Sequence, residues 1–306
     1  MIPSDSKTWL ITGASSGLGL ALTRRVLNRG DRVIATARTL EGGQFADTVL
    51  SEFDDRSTGD GCDAARERLR LLPLDVGAPF AEVQRQADEA IALWGRIDVL
   101  VNNAGTVGRE FGPSEELGLD GMRDPFEVNF FGVVKVTNAF LPHMRSRRDG
   151  TIVILGSRSV YFNEFPGIAA YAASKAAVHS YSETLAVELA PLNIRVLLVV
   201  PGTFNAGVIP PYTETLPGYE STHDVMDAAM KAREASKKGD PARGMDAVVD
   251  VVRGEGRAAS LAHAGKWPRW LVLGEDAFAH VRKRLQNMAD TLGEWEAVGS
   301  DVYYYR

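Results

Sequence analysis

The chain has 306 residues, 45% hydrophobic and 24% charged, a globular composition with enough apolar material for one large core or two modest ones. Its 34 basic and 40 acidic residues give a formal net charge of −6 and are scattered along the sequence, which leaves no basic face for nucleic acid or an anionic membrane. Cys62 is the only cysteine, which excludes an intramolecular disulfide and a thiolate-cluster metal site and fits a reducing compartment.

The opening stretch, "MIPSDSKTWLITG", has no basic segment leading into a long apolar run, so no signal peptide is expected. The run "VLLVVP" at 196–201 is far short of the roughly 18 residues a membrane helix needs, and the expectation is a soluble cytoplasmic protein. Along the chain, β-branched runs recur at 8–12, 32–37, 69–74, 97–102, 151–155, 194–200 and 269–273. Each is apolar almost throughout, as in strands buried on both faces of a parallel sheet. Between them the apolar period is helical; in 80–94, Phe80, Val83, Ala87, Ile91 and Trp94 would form one buried stripe. Strands separated by helices predict repeated right-handed βαβ units, hence an α/β Rossmann-type doubly wound parallel sheet with helices on both faces. No composition break marks a second domain, so residues 1–306 are read as one. Residues 41–66 read as a polar surface loop, 203–266 as a longer excursion placed to cover a ligand, and 275–306 as a C-terminal helix and tail.

After the first strand comes "TGASSGLG", in which Gly13, Gly17 and Gly19 surround Ser15, Ser16 and Leu18 and a helical pattern follows. A strand, a glycine-rich turn and a helix amino terminus offer backbone N–H groups and a positive dipole end to a diphosphate. On the first βα turn of a doubly wound pattern this is a dinucleotide site. The second strand ends in "ATAR": Ala37 is neutral where an NAD site places an acid, and Arg38 supplies the cation a 2′-phosphate needs, so NADP(H) is expected.

In "YAASK", Tyr171 and Lys175 stand at i and i+4 on a predicted helix and share one face. An ammonium within about 4–6 Å favours phenolate and would bring the tyrosine toward a working pH for proton transfer. The five histidines show no metal-ligand spacing, no metal is expected, and they read as structural or surface residues.

The motifs "TGASSGLG", "LDV" at 74–76, "NNAG" at 102–105, "VN" at 128–129, "YAASK" and "PG" at 201–202 occur in the order and spacing of the short-chain dehydrogenases/reductases. The chain resembles that family over about 8–202, with phrase-level similarity to its hydroxysteroid-dehydrogenase-like branch. The resemblance implies that Asp75 and Val76 flank the adenine and that Asn103, with Ala104 and Gly105, lies by the adenosine ribose. It implies that Asn129 holds a relay water through its carbonyl, that Tyr171 is the acid or base, and that Lys175 bonds the nicotinamide ribose. Pro201, Gly202 and the backbone near Phe204 would meet the nicotinamide. At position 206 many relatives carry a threonine; here it is Ala206, after Asn205.

Such a site also needs a serine at the end of the fifth strand to share the charge developing on the substrate oxygen. The family's usual spacing back from the tyrosine falls on Arg158. Counting from the strand, "GTIVILGS", places Ser157 at the site and the inserted residue in "VYFNEF", with Ser159 the alternative. The implied reaction is reversible hydride transfer to a carbonyl or from a secondary alcohol. Aromatic residues of "VYFNEF" and of the stretch after "PG" suit a bulky apolar small-molecule substrate or, equally, core packing or a subunit contact. A redox-neutral dehydratase or cyclase, or a non-catalytic NADP(H) sensor, uses the same fold. Apolar and small residues on the helices beginning near 124 and 168 predict a homodimer or homotetramer.

Overall fold

The computed structural model describes residues 6–40, 44–53, 60–162, 164–204, 210–300 and 302; Asn205 and Ala206, and most of the "VYYYR" tail, lie outside the described residues. The apolar runs form strands β1 (Thr8–Ile11), β2 (Arg32–Ala37), β3 (Leu69–Pro73), β4 (Val99–Asn102), β5 (Gly150–Leu155), β6 (Ile194–Pro201) and β7 (Trp270–Leu273). All neighbours pair in parallel, in the order β3-β2-β1-β4-β5-β6-β7. The strand order turns back between β1 and β4, and crevices at such switch points receive ligands.

Alternation along the central strands divides the core in two. Trp9, Ile11, Val33, Val101 and Val199 point into one half, while Leu10, Ile34, Leu100, Ile152 and Leu198 point into the other. This is why those runs are apolar at successive positions. The edge strands differ: Arg70 and Pro73 of β3 and Trp270 of β7 are exposed, because an edge has a neighbour on one side only.

Helices cover both faces: α1 (Gly17–Asn28), α2 (Gln44–Leu50), α3 (Asp60–Glu67), α4 (Phe80–Trp94), α5 (Ser114–Phe126), α6 (Val133–Arg147), α7 (Ala169–Leu189), α8 (Glu220–Ala235), α9 (Pro241–Arg253), α10 (Ala259–His263) and α11 (Glu275–Gly299). Helix α1 packs on α9, α4 on α6, and α5 on α7. In the stretch "KKGDPAR" at 237–243, Asp240 caps α9 by accepting from the Ala242 N–H at 2.8 Å, and Pro241 takes the first turn. No described helix is long and apolar enough to cross a membrane.

Two expectations need correction. Residues 41–66 are not simply a surface loop: α2 and α3 lie within them, and Phe45, Val49 and Leu50 join the core. The polar residues between these anchors hide a short stripe of helical spacing. In α4, Val83, Ala87, Ile91 and Trp94 pack as predicted, but Phe80, the first residue of the helix, is 47% exposed.

At the amino-terminal edge of the sheet, buried Asp98 joins three strands. Its carboxylate accepts from the Thr8 N–H at 2.8 Å, from Arg96 Nε at 2.8 Å and from Arg147 Nη2 at 2.7 Å, and its carbonyl accepts from the Thr151 N–H at 2.9 Å. Burial pushes the Asp98 carboxyl up, but the bonds from Arg96, Thr8 and Arg147 outweigh it and hold it below the usual carboxylate range. Asp98→Ala strips these donors of their acceptor and is expected to lower unfolding stability by about 3 kcal/mol. A depressed carboxylate stabilises the fold above its unfolded pKa, near 4, and that contribution fades as pH falls through the folded value. Urea titrations of parent and variant from neutral pH into acid check this: the gap between them should close in acid.

Candidate active site

The carboxyl ends of β1 and β4 are fastened together by Thr12 and Asn103. Thr12 Oγ1 accepts from the Asn103 and Ala104 N–H groups, both at 3.0 Å, and Asn103 Nδ2 donates to the carbonyls of Thr12 (2.8 Å) and Gly13 (3.0 Å). The Asn103 side chain therefore pins the glycine-rich turn. The turn needs its glycines: Gly13 and Gly17 have φ of 63° and 55°, and a Cβ on buried Gly19 would overlap the Gly13 carbonyl and Asn103 Nδ2. Ser16, the N-cap of α1, makes no side-chain capping bond, and Ser15 and Ser16 are exposed, so the first N–H groups of α1 face outward without a cap. This cradle fits a diphosphate.

Beyond the cradle, Arg38 is exposed at the end of β2 and has no ion-pair partner among the described residues. Asp75 closes a tight turn, its Oδ1 accepting from the Gly77 N–H at 2.9 Å, and Val76 is buried against Gly132. Gly105 is exposed, and a Cβ there would sit 3.1 Å from Asn129 Oδ1 and 3.5 Å from Lys175 Nζ.

Asn129 lies on a π-helical turn, Glu127–Gly132, between α5 and α6. Fully buried, its side chain accepts from the Thr106 N–H (2.8 Å) and donates to the Thr106 carbonyl (2.8 Å) and to Ser174 Oγ of α7 (2.9 Å). The side chain joins the β4 loop to α7, on a widened helical turn.

On α7, Tyr171, Lys175 and His179 follow at intervals of four and meet the end of β5. Lys175 Nζ donates to the Leu155 carbonyl at 2.7 Å, and His179 Nε2 accepts from the Ser157 N–H at 3.1 Å. Half-buried Tyr171 meets the Ser157 hydroxyl, and burial raises its pKa against the opposing hydrogen bond of Ser157 and the charges of Arg158 and Arg233. Burial also lowers Lys175 to about 8. The electrostatics thus differ from the sequence expectation: the Lys175 ammonium is spent on a strand-end carbonyl, and the cations that favour the tyrosinate are Arg158 and Arg233.

Both serines are buried. Ser157 Oγ accepts from Ser159 N–H (3.1 Å) and from Ser159 Oγ–H (2.9 Å), so Ser159 supports Ser157, which is the hydroxyl that meets Tyr171. Arg158, where the family's spacing back from the tyrosine would put the serine, turns to the other wall. It bonds Thr203 Oγ1 (2.8 Å), His280 Nδ1 (2.8 Å) and Asp276 Oδ2 (3.1 Å), and Asp276 also accepts from the Thr203 N–H at 2.7 Å. A Cβ on Gly202 would overlap the Asp276 carboxylate, which accounts for the glycine of "PG".

These residues enclose a cavity of about 540 Å³. Leu18, Pro201, Gly202 and Phe204 line its nucleotide end and Ser157 and Tyr171 its floor, while Phe111, Phe162, Phe165, Ile168 and Met230 supply an apolar wall. Arg233 of α8 also lines it and has no carboxylate partner among the described residues. Of the aromatic candidates, Tyr161 instead packs on His179 and Trp270, and Tyr212 on Phe111 and His223.

A sequence profile of the short chain dehydrogenases matches residues 7–216. The chain belongs to this family. Retinol dehydrogenase 8 of Bos taurus is 38% identical over 209 residues, 64% of this chain but only 58% of that protein. A short-chain dehydrogenase from Streptomyces avermitilis shares 32% identity and superposes with a TM-score of 0.79, covering 98% of this chain and 99% of the other. Actinorhodin polyketide ketoreductase, in a structure with NADPH, is 26% identical with a TM-score of 0.65 over 89% of this chain and 97% of its own.

In this short-chain dehydrogenase, several site residues escape sequence reasoning. His179 is a buried structural histidine, within the sequence expectation; what that expectation missed is its place, fixing the Ser157 backbone, and its spacing of eight from Tyr171 on the same helix face is the signal that could have found it. Asp276, His280 and Arg233 reach the cavity from elements distant in sequence and carry no local signal. Burial, with a smaller contribution from Lys175, lowers His179 to about 4, which keeps it neutral and able to accept. A histidine whose folded pKa is depressed stabilises the fold fully above the unfolded value, near 6.5, and loses that contribution as pH falls toward 4. Chemical denaturation between pH 7 and 4 should show His179 accounting for about 3 kcal/mol of this acid loss. His179→Gln, which keeps an acceptor but does not titrate, should remove that share.

Proposed function

We propose that this protein is an NADP(H)-dependent oxidoreductase that reduces the carbonyl of a bulky, largely apolar substrate, or oxidises the corresponding secondary alcohol, with Tyr171 as acid/base. The observation that carries the reading is the meeting of Tyr171 and Ser157 on the floor of a cavity whose nucleotide end adjoins the glycine-rich turn, with Lys175 buried one turn along α7 against the end of β5.

The chain's own groups fit the cofactor. The uncapped N–H groups of α1 and the close-packed Gly19 suit its diphosphate, and unpaired Arg38 suits a 2′-phosphate. NADPH, when bound, supplies the hydride that adds to the carbonyl carbon. Ser157 donates a hydrogen bond to the carbonyl oxygen and shares its growing negative charge, and the Tyr171 hydroxyl delivers the proton that completes the alcohol. Lys175, with a pKa of about 8, would return a proton toward Tyr171, resupplied through a water that the Asn129 backbone carbonyl would hold by accepting a hydrogen bond. The apolar wall selects substrate by shape, and Arg233, without a carboxylate partner among the described residues, favours substrates that also carry an acidic group.

Cofactor choice is tested by titrating NADPH and NADH into the parent and Arg38→Asp. The parent should bind NADPH by about tenfold or more over NADH, and the acidic variant should erase or reverse that preference. Equal affinities in the parent count against NADP(H).

A spectrophotometric screen of apolar ketones with NADPH tests the chemistry. Ser157→Ala should lower turnover by about 10²- to 10³-fold with cofactor affinity nearly unchanged. Ser159→Ala, which removes only a supporting bond, should lose much less, and Tyr171→Phe should lose more than either. A reversed ranking of the two serines would assign the oxygen-binding role to Ser159.

A further inference from the structure

From Arg282 to Ser300 every residue of the C-terminal segment is exposed. Within α11 only Ala277 and Val281 are buried, so the helix packs on the body by its first two turns, adds the exposed Lys283–Glu164 ion pair at 2.7 Å, and beyond that lies away from the core. An isolated helix of this length is marginal in water and takes its stability from packing an apolar face. Such a face is present. Val281, Leu285, Met288, Leu292 and Trp295 recur at alternating steps of four and three, and the same steps reach Gly299 and Val302. Leu285 is 56% exposed, Leu292 70% and Trp295 62%. A stripe with period 3.5 is the seam of a left-handed coiled coil, narrower and more regular than the face a helix turns to a globular core.

We propose that α11 pairs antiparallel with α11 of a second copy of this chain. The charges choose the occupant and the direction. Arg282, Lys283 and Arg284 lie at the body end of the seam, and Asp290, Glu294 and Glu296 lie toward its far end. A parallel pair would set like charges beside like at both ends. An antiparallel pair brings Arg282 beside the partner's Glu296, twice by symmetry, both being positions that flank the seam. In that register Leu285 faces the partner's Trp295 and Met288 the partner's Leu292. Gly299 falls opposite the partner's Val281, where that helix rests on its own body and room is least. A membrane surface fits less well: across α11 the acidic residues Glu275, Asp276, Asp290, Glu294 and Glu296 outnumber Arg282, Lys283 and Arg284, whereas interfacial helices carry a basic polar face.

Sedimentation velocity on the purified full chain at about 10 µM tests the proposal, since that concentration populates dimers with Kd near 1 µM. The parent should sediment as a dimer or larger, and Leu292→Glu should drop it one step in size while its melting temperature and NADPH binding hold, because Leu292 touches neither core nor cavity. Arg282→Glu should weaken association by about tenfold, and adding Glu296→Arg to it should restore the parent value. A monomeric parent overturns the proposal. So does an assembly indifferent to Leu292→Glu, or a charge pair in which the second substitution brings no recovery. Binding of a monomeric parent to phosphatidylcholine vesicles, lost in Leu292→Glu, would assign the face to membrane instead.

Discussion

The catalytic end of the molecule depends on one face of α7 gripping the end of β5. A strand that stops inside a protein leaves backbone groups without ladder partners, and buried polar groups left unpaired are costly. Here β6 satisfies the Gly156 N–H through the Val199 carbonyl, and α7 satisfies the next groups with side chains: Lys175 donates to Leu155, and His179 accepts from Ser157. Because those two side chains and Tyr171 lie at successive turns, the bonds that complete the strand also set the phenol beside the Ser157 hydroxyl. The geometry of the candidate site is thus a consequence of satisfying the backbone.

A second clasp ties this end to the nucleotide cradle. Thr12 and Asn103 lock the ends of β1 and β4 around the glycine-rich turn, and the chain continues from Asn103 to Thr106, whose backbone is held by Asn129. Asn129 in turn bonds Ser174, one residue before Lys175. The run Thr12, Asn103, Thr106, Asn129, Ser174 is a continuous chain of bonded or adjacent groups from the phosphate end to the tyrosine helix. All but Thr106 come from elements whose positions are set by the sheet or by helices packed on it, which suits a site that must hold two reactants in register.

The strands were legible because parallel strands buried on both faces are written as unbroken apolar runs, and the Tyr-Lys pair because a helix repeats its face at a fixed interval. The position of Ser157 at the strand end was legible by strand counting, since β5 runs without interruption into Gly156 and Arg158 opens the turn that follows. The rest was closed to sequence reasoning for physical reasons. Helices α2 and α3 bury few residues, so their stripe is drowned by polar neighbours. The contacts of Arg158 with Thr203, Asp276 and His280 join segments that only the sheet order brings together. The pairing of Lys175 with a carbonyl instead of the phenol is decided by which acceptor the strand end leaves unmatched, a property of three dimensions.

The same desolvation acts with opposite sign on the two residues of the motif. It raises Tyr171 and lowers Lys175 to about 8, so each is moved toward its neutral form. In the proposed carbonyl reduction a protonated phenol is the form consumed, and a lysine near 8 would exchange protons readily near neutral pH, so a dry pocket would keep the acid loaded and its resupply close. The tyrosinate that this proposed transfer would leave would meet positive charge, from Arg158 and Arg233, and a hydrogen bond from Ser157. Arg158 serves in this way only because Asp276 and Thr203 hold its guanidinium against the far wall, clear of the Ser157 hydroxyl. Arg158, between the two serines, therefore leaves the strand-end geometry intact and adds charge where the proposed reaction would leave an anion.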